Sequence, residues 1–199
     1  MKDEFVTVNK FECRMISNHG RGPCILLLHG YMYTSDVWND IGLLRLLEKK
    51  NIPFKAIDMP YGHRTESFPR SSDPVQNVSI AAGLCGPDSM IIGASLGGYM
   101  ALKYCTENPV GGVMVVSPVM GLQKELVSRY PLVSAPVSII CGRDDNVVHS
   151  EEIRRLGRRL NTGVIFYENA GHAAYLDQPE RFKADVVEFY KSVIKSGPC

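Results

Sequence analysis

The sequence lacks any long apolar run. No segment approaches the roughly 20 consecutive apolar residues that a helix needs to cross a membrane. The opening residues, MKDEFVTV, include acidic side chains where a signal peptide would carry only positive charge, and no apolar segment follows them. We therefore expect a cytoplasmic protein without a membrane span.

An excess of charge of one sign is also missing. The chain has 22 Lys and Arg residues against 21 Asp and Glu residues, which gives a formal net charge of +1. Proteins that bind nucleic acid or anionic membranes by charge usually present a strongly basic surface. The balanced charge therefore predicts no nucleic-acid partner.

The cysteines lack the spacing of a metal or redox motif. No two of the six are separated by two residues, so neither a zinc site nor a C-x-x-C pair is expected. Cys24, Cys105 and Cys141 lie in or beside apolar segments, where cysteine serves as a small core residue. The pattern leaves open whether any of the six, Cys199 included, form disulfides.

Internal repeats and low-complexity linkers are absent too. The chain has 199 residues, of which 45% are hydrophobic and 22% are charged. This is the size and composition of one globular domain. We expect a single domain over residues 1–199.

Short apolar runs alternate with segments of helical spacing. The apolar runs predict strands at CILLLH (24–29), FKAID (54–58), SMIIGA (89–94), GGVMVVS (111–117), PVSIICG (136–142) and GVIFYE (163–168). The intervening segments predict helices at 35–51, 74–85, 95–108, 150–161 and 178–195, and a short helix or turn at 121–130. This order predicts an α/β fold, with a mostly parallel, doubly wound sheet and helices on both faces. The segment EFVTVNKFECRMI predicts an antiparallel hairpin at the edge of the sheet.

The first helix is expected to be continuous over residues 35–51. Val37 and Leu47 are among its apolar residues at helical spacing, and Ser35 or Asp36 is the expected N-cap. Trp38 is expected in the core.

Residues with reactive side chains follow three different strands. Ligands of parallel sheets bind beyond the carboxyl ends of the strands. Ser95 follows the third of the strands predicted to be parallel, an Asp144-Asp145 pair follows the fifth, and His172 follows the sixth. We therefore expect these side chains to meet at one edge of the sheet.

Ser95 lies in GASLGG, which fits the pattern G-x-S-x-G between a strand and a helix. That setting is typical of a nucleophile elbow, in which strained backbone angles push the serine hydroxyl out of the sheet. Gly93 and Gly97 are expected to be small because neighbouring backbone passes close to them. The alternative is an ordinary serine in a tight turn.

A serine hydroxyl becomes a good nucleophile when a base lies within hydrogen-bond distance, and His172 is the candidate base. The imidazole in turn needs a carboxylate that fixes its tautomer. Asp145 is preferred for this role, and Asp144 is the alternative. The other reading of His172 is a surface or core histidine without a role in chemistry.

An oxyanion needs backbone N–H donors. Leu96, directly after the serine, and Tyr31, after the first buried strand, are the expected donors. Met32 is the alternative second donor. His29 is expected to support this loop by hydrogen bonding rather than to react.

On these residues the chain resembles the α/β-hydrolase superfamily from about residue 24 to residue 194. LLLHGYMYTSDVW, AIDMP, GASLGG, CGRDDNVV and AGHAAYLDQPERF occur in the order and spacing of that family. The resemblance implies the α/β-hydrolase fold. It also assigns roles to five positions: Ser95 as nucleophile, Asp145 as acid, His172 as base, and Tyr31 and Leu96 as oxyanion-hole residues.

Two segments depart from the family pattern. Family members often carry D-x-P-G-x-G-x-S after the second parallel strand, whereas this chain has DMPYGHR at 58–64, with one glycine fewer. Many members also insert a multi-helix cap where this chain has only residues 118–135, enough for one helix at most. We expect an open site with little or no cap, similar to that of small capless serine esterases.

The resemblance implies a serine hydrolase that cleaves carboxylic esters of small or short-chain acyl groups through an acyl-enzyme. The substrate is then a small-molecule acyl ester, and neither a metal nor an organic cofactor is needed. Acyl transfer, thioester hydrolysis and perhydrolysis would use the same triad, so the sequence leaves them open. A non-catalytic binding module on this fold is the alternative of another class. A dehalogenase is disfavoured because it would carry Asp in place of Ser95.

Further side chains could contact a substrate, although a structural role is favoured for each. Five lie near strand ends and could line an acyl pocket: Met32, Tyr61, His63, Tyr99 and Met120. A basic helix face could hold an anionic substrate or coenzyme A through Arg154, Arg155, Arg158 and Arg159. The favoured reading of that face is a solvated surface balanced by Glu151 and Glu152.

Overall fold

A computed structural model describes residues 1–196, so Cys199 lies outside the described residues. The strands are β1 (Lys2–Val8), β2 (Phe11–Ser17), β3 (Ile25–Leu28), β4 (Phe54–Ile57), β5 (Met90–Ala94), β6 (Gly112–Val116), β7 (Val137–Gly142) and β8 (Val164–Tyr167). The helices are α1 (Asp36–Asp40), α2 (Leu43–Lys49), α3 (Pro74–Leu84), α4 (Leu96–Cys105), α5 (Lys124–Arg129), α6 (Ser150–Arg159), α7 (Ala174–Asp177) and α8 (Pro179–Ser196).

The strands form one sheet in the order β1-β2-β4-β3-β5-β6-β7-β8. The pairs from β4 to β8 are parallel, whereas β1 pairs with β2, and β2 with β4, in antiparallel orientation. The predicted edge hairpin is therefore present. The predicted α/β-hydrolase fold, with a mostly parallel sheet, is confirmed.

The central strands are buried on both faces, which explains their continuous apolar sequence. In β3, Ile25 and Leu27 pack on one face while Leu26 and Leu28 pack on the other. Helices α3, α4 and α6 contribute to the core on the second of these faces, and α1, α2, α7 and α8 to the core on the first. The predicted placement of helices on both faces is confirmed.

The prediction of one continuous helix over residues 35–51 was wrong. Gly42 has a φ of 75°, a conformation that glycine adopts at little cost, and it separates α1 from α2. Ser35 does stand at the N-cap of α1, but its side chain makes no capping bond. Its backbone N–H instead donates to Asp58 Oδ1 at 2.6 Å. Trp38 is fully buried, as predicted.

Further differences from the predicted elements concern α4 and α7. Helix α4 ends at Cys105 rather than at residue 108, because the N–H groups of Glu107 and Asn108 both turn back to the carbonyl of Tyr104. The four-residue helix α7, between β8 and α8, was not predicted. Such a helix is too short to show a periodic pattern in the sequence.

The segment between β6 and β7 is small. It contains α5 and a 3₁₀ turn at Tyr130–Leu132, which the buried Tyr130 anchors by donating its hydroxyl to the Gly121 carbonyl at 2.6 Å. Over the described part of the chain, no multi-helix cap is inserted here, as predicted. No helix within residues 1–196 is both long and apolar enough to span a membrane. That residues 1–199 form a single domain stays a prediction.

Candidate active site

Ser95 lies on a strained turn between β5 and α4. Its φ of 52° and ψ of −112° lie in a region that residues other than glycine rarely adopt. The flanking glycines allow close backbone approach. A Cβ on Gly93 would overlap the carbonyl oxygen of Gly97, and a Cβ on Gly97 would overlap that of Leu28. These contacts explain the spacing G-x-S-x-G.

Three side chains from three different strand ends meet at the edge of the sheet. His172 Nε2 lies 2.9 Å from Ser95 Oγ, so the serine hydroxyl can donate to the imidazole. On the other side of the ring, Nδ1 lies 3.0 Å and 3.1 Å from the two carboxylate oxygens of Asp145. The residues that the sequence predicted as a triad are thus in hydrogen-bond contact.

The carboxylate of Asp145 is buried and well hydrogen-bonded. Its Oδ1 accepts hydrogen bonds of 2.9 Å from the backbone N–H groups of Val147 and Val148. Burial raises the pKa of this carboxyl, but hydrogen bonds from His172, Val148, Ser117 and Val147 outweigh burial and lower the pKa to about 2. Asp145 is therefore a carboxylate at neutral pH.

Asp144 differs from Asp145 in its surroundings. Its side chain is exposed, and within residues 1–196 it makes no hydrogen bond. Of the two acids that the sequence left open, the structure brings Asp145 to His172.

The expected oxyanion donors flank the serine. Leu96 is the first residue of α4, and Gly30 lies so close that a Cβ there would be 3.5 Å from the Cβ of Ser95. In the described residues, the backbone N–H groups of Leu96, Tyr31 and Met32 have no hydrogen-bond acceptor. They are therefore free to bind an oxyanion, and the choice between Tyr31 and Met32 stays open.

His29 braces the loop that carries Tyr31. Its Nε2 accepts the Met59 N–H at 2.9 Å, which leaves the proton on Nδ1, and Nδ1 donates to the Gly30 carbonyl at 2.8 Å. The backbone carbonyl of His29 accepts a hydrogen bond of 2.6 Å from the Tyr61 hydroxyl. The side chain is fully buried, and this burial lowers the pKa of the imidazole. The supporting role predicted for His29 agrees with these contacts.

The five side chains considered for an acyl pocket fall into two groups. Tyr61 and Tyr99 are buried core residues, as the packing alternative predicted. Met32 and Met120 are 50% and 40% exposed, so both apolar side chains are accessible at the surface. His63 is also exposed, and its ring centroid lies 5.8 Å from that of Tyr31.

Sequence reasoning missed two residues beside the site. The N–H of Val119 donates to the Ser95 carbonyl at 3.3 Å, so the segment after β6 packs against the nucleophile turn. Val147, on the loop that carries Asp145, is 58% exposed. The run CGRDDNVV offered a signal for Val147, because it places an apolar pair two residues after Asp145.

The basic face of α6 is a solvated surface, as favoured from the sequence. Arg154, Arg155, Arg158 and Arg159 are all exposed. Arg158 pairs with Glu151 at 3.2 Å, and the Arg154 guanidinium lies 4.6 Å from the ring centroid of Phe166.

The described residues show neither a cluster of metal ligands nor a disulfide. Among residues 1–196, no group of three or more His, Cys, Asp or Glu side chains is arranged to hold a metal ion. The described cysteines are free thiols: Cys13, Cys24, Cys85, Cys105 and Cys141. Cys105 and Cys141 are buried, as expected of core residues, whereas Cys24 is partly exposed.

Sequence comparison relates the chain to the alpha/beta hydrolase family. A profile of the alpha/beta hydrolase family matches residues 25–131, just over half of the chain. Human protein ABHD14A is 26% identical over 171 residues, which cover 83% of this chain but only 63% of that protein. The human "Putative protein-lysine deacylase ABHD14B" is 27% identical over 180 residues, covering 85% of this chain and 83% of that protein.

Solved structures share the fold. A "predicted CIB-like hydrolase" from Thermoplasma acidophilum superposes with a TM-score of 0.86 at 22% identity, covering 96% of this chain and 98% of that one. An esterase from Exiguobacterium antarcticum superposes with a TM-score of 0.76 at 15% identity, covering 94% and 98%. Identities this low establish similarity of fold alone.

Proposed function

The chain belongs to the alpha/beta hydrolase family, and from this premise we propose that it is a serine hydrolase that cleaves carboxylic esters with Ser95, His172 and Asp145. One observation carries the proposal. The 2.9 Å contact between Ser95 Oγ and His172 Nε2 continues through Nδ1 to the buried carboxylate of Asp145. A serine, an imidazole and a carboxylate in this order are what is needed to make a hydroxyl nucleophilic.

Acylation begins when Ser95 Oγ attacks the ester carbonyl carbon and His172 Nε2 takes the hydroxyl proton. The carbonyl oxygen becomes an oxyanion, which the N–H of Leu96 and that of Tyr31 or Met32 stabilise. Asp145 stabilises the imidazolium and keeps the proton of Nδ1 in place. The carbon–oxygen bond to the alcohol then breaks, and His172 returns its proton to the departing alcohol.

In deacylation, water takes the place of the serine hydroxyl as the nucleophile, and Ser95 becomes the leaving group. His172 removes a proton from water, the water oxygen attacks the acyl carbon, and the bond to Ser95 breaks with return of the proton to its oxygen. Every proton in this cycle passes through His172. The cycle therefore needs no metal or organic cofactor.

The lack of a cap supports short acyl groups as substrates, or an acyl group displayed on a larger molecule. The His172 side chain is 24% exposed, so the site is open to solvent. An open site gives a long chain little enclosed apolar surface to bury. Activity that rises steadily from acetyl to palmitoyl p-nitrophenyl esters would contradict the preference for short chains.

Acyl transfer is the second candidate, favoured by the same open site. An acyl-enzyme that solvent can reach is also accessible to an alcohol, amine or thiol acceptor. Thioester hydrolysis and perhydrolysis would use the same residues. Product analysis with added alcohol, thiol or peroxide distinguishes these reactions from hydrolysis.

Labelling with a fluorophosphonate probe tests the proposal. Wild-type protein is expected to be labelled and to hydrolyse p-nitrophenyl acetate, and Ser95→Ala is expected to lose both properties. Ser128→Ala is the matched control, because Ser128 is an exposed residue of α5 whose hydroxyl, within residues 1–196, bonds only the Glu125 carbonyl. A non-catalytic binding module would show no labelling and no hydrolysis in any variant.

A further inference from the structure

Ser117, the residue directly after β6, lies between the nucleophile turn and the strand that leads to the acid. On one side, the carbonyl of Val116 accepts the Ser95 N–H at 2.9 Å. On the other side, the Ser117 N–H donates to the Ile140 carbonyl of β7 at 2.9 Å, and β7 leads to Asp145. The end of β6 therefore binds both parts of the chain that carry the nucleophile and the acid.

The backbone of Ser117 is strained. Its φ of 44° lies in the left-handed region, which residues other than glycine rarely adopt. The next residue is Pro118, and a residue before proline prefers an extended conformation with negative φ. Glycine would adopt this φ at little cost. A serine that bears such strain beside a candidate active site indicates a use for its side chain.

The side chain of Ser117 is directed towards the carboxylate of Asp145. Ser117 is fully buried, and its Oγ lies 3.7 Å from Cys141 Sγ, which in turn lies 3.9 Å from Asp145 Oδ2. The thiol has one weakly donating proton, and the Gly142 carbonyl also accepts it at 3.3 Å, so the hydroxyl is the stronger donor of the two. A hydrogen bond from Ser117 is also one of the contacts that lower the pKa of Asp145.

Building on the proposed function, we infer that Ser117 is a positioning residue of the triad, whose buried hydroxyl holds the Asp145 carboxylate in the orientation that faces His172 Nδ1. The backbone N–H groups of Val147 and Val148 hold Oδ1, and the hydroxyl adds a donor from β6, on the side where Cys141 approaches Oδ2. A carboxylate held from two sides stays aligned with the imidazole as the imidazolium forms. Ser117 thus acts on the reaction through Asp145.

A double-mutant cycle tests whether Ser117 acts through Asp145. Ser117→Ala is expected to lower kcat for p-nitrophenyl acetate about three- to tenfold, the effect of one lost hydrogen bond, and to leave KM within about twofold. In Asp145→Asn protein, which already lacks the carboxylate, the same substitution is expected to change kcat by less than about twofold. Equal losses in the two backgrounds, or an unchanged kcat in Ser117→Ala, would overturn the inference.

Ser117→Gly is the second variant, for the case that Ser117→Ala folds poorly. Glycine removes the hydroxyl and relieves the strain together, so kcat is expected to fall although the backbone becomes unstrained. A kcat equal to that of the wild type would mean that the hydroxyl has no role.

Ser89→Ala is the matched control. Ser89 is a buried serine directly before β5, at the opposite edge of the sheet, and its hydroxyl accepts the Gly86 N–H at 2.9 Å. The control is expected to lower the urea midpoint of unfolding and to keep the kcat of the wild type. If Ser89→Ala loses as much kcat as Ser117→Ala, general loosening of the fold explains both losses and the inference fails.

Urea unfolding at a series of pH values tests the same contact without any turnover. In the described residues, His172 and Cys141 are the titratable side chains that hydrogen-bond this carboxylate, and both are present in the wild type and in Ser117→Ala. Since the hydroxyl stabilises the ionised form of Asp145, the difference in stability between these two proteins is expected to narrow as the pH falls from about 4 towards 2. The curve of Ser89→Ala is expected to stay parallel to that of the wild type.

The two tests separate this inference from the proposed function. A stability curve of Ser117→Ala parallel to that of the wild type would overturn the inference and leave the hydrolase intact. Absence of p-nitrophenyl acetate hydrolysis and of fluorophosphonate labelling in the wild type would instead reject the hydrolase, and the unfolding curves would still decide whether Ser117 holds Asp145.

Discussion

The backbone N–H of Asp144 donates a 2.9 Å hydrogen bond to the carbonyl oxygen of Ala170. This bond joins the loop that carries Asp145 to the loop that carries His172. Gly142 permits the approach, because a Cβ there would overlap the Ala170 carbonyl oxygen. The position of the acid relative to the base is thus set by backbone packing between two loops.

Gly142→Ala is expected to separate these loops. Displacing a catalytic group by about 1 Å can cost roughly 100-fold in rate, so we expect kcat to fall about that much. Overpacking is also expected to lower the free energy of unfolding by about 1–3 kcal/mol. Ester hydrolysis and urea unfolding measure the two effects.

Gly163→Ala is the control for this substitution. In the part of the chain that the structure describes, no atom outside its chain neighbours lies within 4 Å of a Cβ at Gly163. Its activity is expected to match that of the wild type. Unchanged kcat in Gly142→Ala would mean that the packing of the two loops does not position the triad.

The neighbouring acids provide a paired test of the triad. Asp145→Asn is expected to lower kcat by about 10³- to 10⁴-fold, because an amide cannot hold the Nδ1 proton or stabilise the imidazolium. Asp144→Asn removes an equal charge at an exposed side chain and is expected to stay within about twofold of wild type. Steady-state hydrolysis of p-nitrophenyl acetate measures both. A large loss of kcat in Asp144→Asn with little loss in Asp145→Asn would assign the role of the acid to Asp144.

Acid stability should report the ionisation of Asp145. The folded-state pKa of about 2 lies below the ordinary value of 3.8, so the unfolded chain binds the proton first as the pH falls. The carboxylate thus contributes about 2 kcal/mol above roughly pH 4, and this contribution is lost as the pH falls towards 2. Urea unfolding of wild type and Asp145→Asn at a series of pH values measures it. A constant difference between the two curves would contradict the depressed pKa.

His29 should produce a second dependence on pH, at higher values. Burial lowers the pKa of its imidazole below the ordinary 6.5, so below that pH the unfolded chain binds a proton that the folded protein does not. Stability is expected to fall with decreasing pH by up to about 1.4 kcal/mol per pH unit from this residue. His29→Gln is expected to remove that part of the slope below about pH 6.5. Parallel stability curves for wild type and variant would contradict a neutral buried imidazole.

The strands and the candidate triad could be predicted because their signals are local. Strand β3 is buried on both faces, so ILLL stands out as an uninterrupted apolar run. Ser95 and His172 each follow such a strand, and the rule that parallel strands place their carboxyl ends together brings them to one edge. Gly93 and Gly97 further indicated that neighbouring backbone passes close to the turn at Ser95.

Other features depend on contacts that a sequence pattern does not record. Gly42 interrupts the first helix where a Cβ would come within 3.4 Å of the Lys183 ammonium of α8. Helix α7 is held in part by Asp177, whose carboxylate accepts the Gly171 N–H at 2.7 Å. A surface cleft combines residues of β2, α1, the loop after β4 and α7, so only the folded chain reveals it.

Trapping the acyl-enzyme tests the central claim, that Ser95 is the nucleophile activated by His172. Protein mixed with p-nitrophenyl acetate and quenched in acid within one turnover is digested and mapped by mass spectrometry. We expect one acetyl group on Ser95 in the wild type, none on Ser95→Ala, and a greatly slowed appearance in His172→Ala. Turnover by the wild type without acetyl on Ser95, or acetylation at an unchanged rate in His172→Ala, would contradict the claim.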